Sequence, residues 1–170
     1  IQIINCASAV KNLAGDFAEV GVYRGRSAKL LCEVGGDRTL HLFDTFEGLP
    51  KPSARDTEAL RVNMYAANLQ AVNRYLSDYP HLVFYPGTFP ETAEAIKDKI
   101  FAFVHFDVDL HQSTLECLRF FYSRMVKGGI ILSHDYSTLA GVKRAFDEFL
   151  ADKNESVIEL STSQCILVKE

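Results

Sequence analysis

Hydrophobic and polar positions along the chain alternate between two periods. Short apolar runs of strand length fall at Phe17–Val22, Leu40–Phe43, Leu82–Tyr85, Ile100–Phe106 and Ile130–Leu132. Runs this continuous suit strands covered on both faces. Between them, apolar residues recur at helical spacing: Ala28, Leu31 and Cys32 after Ser27, then Val142, Ala145, Phe146, Phe149 and Leu150 at i, i+3, i+4, i+7 and i+8. Gly35-Gly36 stops the first of these helices, and Pro90 opens a short one up to Lys97. Ser113 followed by Glu116 predicts a capping box, with Leu115, Leu118, Tyr122 and Met125 behind it and a Gly128-Gly129 turn beyond. After the break at Pro50-Lys51-Pro52-Ser53, the segment up to Tyr79 reads as one long helix. Its expected buried side is Leu60, Met64, Ala67, Leu69, Val72 and Leu76, with Ser53 to Glu58 alternatively a mobile loop. Ser156–Leu160 and Gln164–Val168, parted by Ser161-Thr162-Ser163, predict an antiparallel hairpin.

Strands alternating with helices predict an α/β, Rossmann-like fold: a mostly parallel sheet with helices on both faces, joined by right-handed crossovers. The chemistry falls at one kind of place. Gly21, Asp44, Gly87, Asp107 and the pair His134-Asp135 each sit at or just after the carboxyl end of a different apolar run. In an open parallel sheet those ends form one edge, and ligands bind in the crevice along it. Five loops are therefore expected to converge on one site.

Composition narrows the classes. A chain of 170 residues fits a single domain, since domains centre on roughly 100–150 residues. The net charge of -4 and the lack of any basic run argue against a nucleic-acid or anionic-membrane partner. No apolar stretch approaches the roughly 20 residues of a membrane span. The four cysteines, Cys6, Cys32, Cys117 and Cys165, lie far apart without a metal or disulfide spacing, which points to reduced thiols and a cytoplasmic protein. Ile1 is not a methionine and the pattern begins abruptly, so upstream sequence is expected to be missing.

The glycine turn excludes one ligand class. A dinucleotide fingerprint needs G-x-G-x-x-G, and Tyr23 holds the place of its second glycine, where a side chain blocks close approach to a pyrophosphate. There is no lysine-containing phosphate loop either. What stands is Glu19-x-Gly21-x-x-x-Gly25-x-Ser27 with Asp44 after the next strand, a pattern suited to a ligand that carries a carboxylate and a ribose but no phosphate.

The runs Gly15 to Ser27, Asp44-Thr45-Phe46-Glu47-Gly48-Leu49-Pro50, Phe106 to Thr114 and Gly128-Gly129 leading to Asp135-Tyr136 together resemble the macrocin O-methyltransferase family. The resemblance covers the chain from Gly15 to about Leu150 and implies an S-adenosylmethionine-dependent, usually magnesium-dependent enzyme that methylates hydroxyls of sugars and related natural products. It implies a seven-stranded sheet with its last strand antiparallel. It further implies that Glu19, Gly21, Tyr23, Gly25 and Ser27 line the methionine end of the cofactor. Asp44, with Thr45 and Phe46 beside it, would hold the ribose, and Gly87, Thr88 and Phe89 would lie near the adenine. Asp107 would be both metal ligand and general base, with His134 and Asp135 completing the ligand set.

The main departure is His134, where the family usually has aspartate. Three carboxylates suit magnesium, whereas an imidazole shifts preference toward manganese, iron, cobalt, nickel or zinc. Three readings stay open: another metal, a weaker magnesium site on Asp107 and Asp135, or no metal with His134 as the base. His111 is either a solvent-facing loop residue or a substrate contact, and His105 a satisfied core residue. The aromatic residues Phe120, Phe121, Tyr122, Phe146 and Phe149 read as core or as contacts of a homodimer. The rival of another class is a non-catalytic nucleoside-binding or protein-interaction module, which a cleft plugged by side chains would favour. Methyl transfer to nitrogen, protein or nucleic acid is a third reading, to which the modest net charge lends little support.

Overall fold

A computed structural model describes residues 1–170. Seven strands form one sheet: β1 (Asp16–Val20), β2 (Leu40–Asp44), β3 (Leu82–Pro86), β4 (Phe101–Phe106), β5 (Met125–Ser133), β6 (Ile158–Glu159) and β7 (Cys165–Val168). Their order across the sheet is β3-β2-β1-β4-β5-β7-β6. The first five are parallel, and β7 runs antiparallel to both β5 and β6. The order reverses direction at β1, where β2 and β3 lie to one side and β4 to the other, and this is the switch point at which open α/β sheets hold ligands.

Strand period two sorts the core into the two layers that flank the sheet. On one face, Phe17, Leu42, Phe103 and Leu132 pack with α1 (Gln2–Ala9), α2 (Arg26–Gly35) and α3 (Leu69–Tyr75) through Ile3, Ala7, Leu31 and Val72. On the other, Phe43, Val104, Phe106 and Ile131 pack with a 3-10 turn at Glu91–Ile96, α4 (His111–Tyr122) and α5 (Ala140–Leu150). The polar residue His41 within β2 is satisfied on both sides, with Nε2 3.0 Å from Asp16 Oδ2 and Nδ1 3.0 Å from the Tyr85 hydroxyl.

Three expectations are corrected. The long helix before Tyr79 is only α3, capped by Asn68, whose side chain accepts from the Ala71 amide. Asn63 and Tyr65, both at φ 64°, are incompatible with a continuing helix, and backbone bonds from Leu49 N to Met64 O and from Asn63 N to Leu49 O fold the segment back on the preceding loop. Ser113 and Glu116 form no capping box: α4 already starts at His111, has no side-chain cap from its own N-terminus, and Glu116 accepts from Gln112 Nε2 instead. Met125 belongs to β5, and the Gly128-Gly129 pair lies inside that strand, where pairing slips between Phe101↔Met125 and Phe103↔Ile130. The lead-in before Gly15 contains α1, which packs on α2.

Phe121 is the hub of the second layer. Its fully buried ring meets Phe43, Phe89, Phe101, Phe106 and Phe120, stacking on Phe89 at 5.5 Å and meeting Phe101 edge-on at 5.1 Å. Phe121→Ala is expected to cost about 3–5 kcal/mol of unfolding free energy in urea titrations, and a loss below about 1 kcal/mol would show that the cluster repacks.

Candidate active site

The ladder of backbone hydrogen bonds continues one residue beyond the strands, and this lines up the functional loops. Gly87 N donates to Asp44 O at 2.9 Å, Gly21 N to Phe43 O at 2.9 Å, Asp107 N to Val20 O at 2.9 Å and His134 N to Phe106 O at 2.8 Å. The ends of five neighbouring strands, β3, β2, β1, β4 and β5, thus lie in one row. Above that row lies an open cleft of about 310 Å³, at the lower end of the range for small-molecule sites.

Gly21, Tyr23, Asp44, Thr45, Gly87, Thr88, Phe89, Asp107, His134 and Asp135 all line this cleft. The structure places four other expected residues elsewhere. Glu19 is fully buried beneath the strand ends, because alternation along β1 turns it away from the cleft and toward its register partner on β4, His105. Its Oε1 lies 2.8 Å from His105 Nδ1, while Glu19 Oε2 and His105 Nε2 have no protein partner, so His105 is buried but only half satisfied. Gly25 is the left-handed N-cap of α2 and packs on Val72 and Leu76, and Ser27 lies in the first turn of that helix. The Phe46 side chain belongs to the core, its ring tilted against Phe84 of β3, and its amide donates to Asp44.

Asp44 organises the turn. Its Oδ2 accepts from Val22 N at 2.8 Å and Tyr23 N at 2.7 Å, and its Oδ1 from Phe46 N at 2.6 Å. A carboxylate offers about four lone-pair sites, so acceptor capacity remains toward the cleft. At Gly21, φ is +89° and a Cβ would sit 1.9 Å from the Asp107 carbonyl oxygen. Only glycine lets the turn after β1 close onto the loop after β4.

Asp107, His134 and Asp135 bring one ligand atom each within 4.8 Å of one another. His134 Nδ1 is 2.9 Å from Asp135 Oδ2 and 3.7 Å from Asp107 Oδ1, distances of charge contact, but neither oxygen lies along the ring N–H direction. The Asp135 contact, opposed by burial and aided by Asp107, pushes the imidazole up to about 9. Asp135 is correspondingly held below the usual carboxylate range, first by His134. Burial raises Asp107, an effect that the neighbouring imidazoles of His105 and His134 offset in part. Asp109 is pushed up to about 7 by burial and then by the charges of Asp107 and Asp135.

Several cleft residues were not foreseen in the sequence. Tyr65 and Met64 lay in the expected helix, Asp109 was assigned no role at the site, and Ser113 read as a helix cap; all four line the cleft. Tyr65 meets Tyr23 edge-on, with ring centroids 6.0 Å apart. Backbone strain marks the place: of the non-glycine residues at positive φ, Tyr23, Tyr65, Asp109 and Asp135 line this one cleft. Residues held this way cluster at ligand sites because the surrounding structure must over-determine them. His111, by contrast, neither faces solvent nor lines the cleft: it is buried at the start of α4, with Nε2 3.2 Å from Arg55 Nη1 and 3.3 Å from Glu148 Oε2.

A switch-point cleft with an acidic residue at the end of β2, a glycine turn after β1 and an antiparallel closing hairpin defines the class as a Rossmann-like methyltransferase fold. The chain belongs to the macrocin-O-methyltransferase (TylF) family, whose model matches residues 2–162. It is 30% identical over 156 residues to demethyldecarbamoylnovobiocin O-methyltransferase of Streptomyces niveus, covering 82% of this chain and 60% of that protein. It is 29% identical to mycinamicin III 3''-O-methyltransferase of Micromonospora griseorubida, covering 72% of this chain and 55% of that one. The structure of the O-methyltransferase NovP superposes with a TM-score of 0.88 at 26% identity, over 99% of this chain and 78% of that one. CalS11, a calicheamicin methyltransferase, shares the fold with a TM-score of 0.82 at 20% identity, over 98% of this chain and 77% of that one. The chain thus spans 60% or less of the length of these two curated relatives.

Because the His134 value lies above its ordinary 6.5, its contribution to stability is fully present below pH 6.5 and is lost as pH rises through about 9. In chelator-treated protein, proton NMR of the His134 ring is expected to titrate near 9, and Asp135→Asn to bring the value down. A wild-type midpoint near the ordinary value would refute the contact.

Proposed function

We propose that this chain is an S-adenosylmethionine-dependent O-methyltransferase acting on a hydroxyl of a sugar-like or small natural-product acceptor, with a divalent cation held by Asp107, His134 and Asp135. The observation that carries the reading is the convergence, in one open cleft, of the Asp44 turn and the three-residue donor cluster. The relatives support it, being named as O-methyltransferases of natural products. A non-catalytic module would be favoured by a plugged cleft, and here the cleft is open with Asp107 and Asp135 on its wall. No helix of the chain is long and apolar enough to cross a membrane.

The residues fit both groups. Two carboxylates and an imidazole within 4.8 Å form a donor set for a divalent cation, and the additional carboxylate of Asp109 crowds negative charge that a cation would relieve. Imidazole in the set favours manganese or another transition metal over magnesium. The Asp44 carboxylate is oriented by three amides and keeps capacity for ribose hydroxyls, while Gly87, Thr88 and Phe89 line the part of the cleft beyond β3 where a base would lie.

When bound, S-adenosylmethionine would supply a methyl group on a sulfonium and the cation would lower the pKa of the acceptor hydroxyl. The chain does the rest. Asp44 and the turn after β1 orient the donor, and near-attack alignment of this kind accounts for a large part of the barrier lowering in two-substrate reactions. An alcohol must lose its proton as it attacks, and Asp107, at the strand end facing the cleft, accepts it. Tyr23 and Tyr65 meet edge-on in the lining of the same cleft.

At 100 times its dissociation constant, S-adenosylhomocysteine is expected to stabilise the protein by about 2.7 kcal/mol. Asp44→Ala should abolish that shift, with Asp44→Asn, which keeps one acceptor oxygen, intermediate. No thermal shift of the wild type with either the donor or its demethylated product would sink the reading. In calorimetry, manganese should bind more tightly than magnesium to wild type, Asp107→Ala should lose both heats, and His134→Asp should strengthen magnesium. Equal heats from wild type and Asp107→Ala would remove the metal site.

A further inference from the structure

The cleft has two walls that the sequence supplies from far apart: the loop between β2 and α3, which carries Met64 and Tyr65, and the loop after β4, which carries Asp107 and Asp109. We propose that Asp56, seated in a notch left by Gly141, is the positioning residue that locks these two walls together. This rests on the cleft being the ligand site argued above.

Five hydrogen bonds converge on Asp56 and its neighbour Arg55. Helix α4 has no cap of its own, and Asp56 Oδ1 accepts from its first amide, His111 N, at 2.7 Å across 55 residues of chain. A carboxylate at a helix N-terminus satisfies an orphan donor and meets the positive end of the helix dipole. Asp56 Oδ2 accepts from Ser53 N and Ser53 Oγ, both at 2.7 Å, which closes the loop on itself. Arg55 donates to Glu148 Oε2 on α5 at 2.9 Å, and Arg144 of the same helix donates to the Arg55 carbonyl at 3.3 Å.

Gly141 shows that α5 is shaped for this docking. It is buried within the first turn of α5 and is not among the positive-φ glycines, so its backbone does not call for glycine. A Cβ there would lie 2.7 Å from Asp56 Oδ1 and 3.3 Å from both Arg55 O and His111 N. The missing side chain is the space that the carboxylate occupies.

From this point the two walls are set by short steps. Leu110, one residue before the capped amide, packs with Leu60 and Leu49, and Met64 packs against the same cluster. Leu49 N donates to Met64 O at 2.8 Å and Asn63 N to Leu49 O at 2.9 Å, which holds Met64 and Tyr65 at the cleft. In the other direction, Leu110 is the residue that follows Asp109. One carboxylate therefore fixes the aromatic wall against the acidic loop.

The test is hydrogen exchange on the whole protein, with S-adenosylhomocysteine titration, for Asp56→Ala, Asp56→Asn and Gly141→Ala. Losing a hydrogen bond to a charged group corresponds to about tenfold or more in an equilibrium. Asp56→Ala and Gly141→Ala are expected to raise exchange of the amides in residues 57–66 and to weaken S-adenosylhomocysteine by about that factor, while β4 and β5 keep wild-type protection. Asp56→Asn keeps one oxygen to accept from His111 N but turns an NH2 donor toward Ser53 N, so it should fall between wild type and Asp56→Ala. Unchanged exchange in residues 57–66, or exchange that rises equally in β4 and β5, would overturn the proposal. If wild type takes up no S-adenosylhomocysteine, the methyltransferase reading fails, and the exchange pattern alone decides whether Asp56 locks the walls.

Discussion

Everything at the cleft depends on the parallel register of β3, β2, β1, β4 and β5. Because the backbone ladder runs one residue past the strands, from Gly87 through Asp44 and Gly21 to Asp107 and His134, the first loop residues are fixed as firmly as strand residues. Parallel strands buried on both faces tolerate no slip, since a shift of one residue would exchange the two core layers. The functional side chains inherit that rigidity without being part of the core.

Within that frame, two close approaches do the local work. Gly21 lets the turn after β1 lie on the Asp107 carbonyl, and Asp44 gathers the amides of Val22, Tyr23 and Phe46. Both place polar groups where solvent is partly excluded, and the same exclusion crowds Asp107, Asp109 and Asp135 around His134 and shifts their protonation. Strain at Tyr23, Tyr65, Asp109 and Asp135 belongs to the same picture. A local sequence does not choose such backbone angles; packing imposes them.

The buried pair Glu19 and His105 shows how a motif can be misread when only spacing is considered. Glu19 precedes the glycine turn at the position expected to reach the ligand, yet strand alternation directs it under the strand ends to His105. There it makes a polar contact inside the sheet, two residues before Asp107 on the neighbouring strand. The glycines divide in the same way. Gly21 serves the cleft, whereas Gly25 serves the start of α2.

The strand and helix alternation, the closing hairpin and the set of strand-end residues Gly21, Asp44, Gly87, Asp107, His134 and Asp135 were all legible in the chain, because hydrophobic period and chain order are local properties and the parallel-sheet rule maps strand ends to one edge. The segment between Pro50 and Asn68 was not. Its apolar residues Leu60 and Met64 carry helical spacing but satisfy a different partner, the Leu49 and Leu110 cluster, which lies far away in sequence. For the same reason the cap of α4 could not be found at Ser113, because its acceptor arrives from Asp56 through a notch at Gly141. Sequence alone determined which strand ends meet; only tertiary packing decided how the walls between them close, since those contacts join residues whose spacing along the chain carries no period.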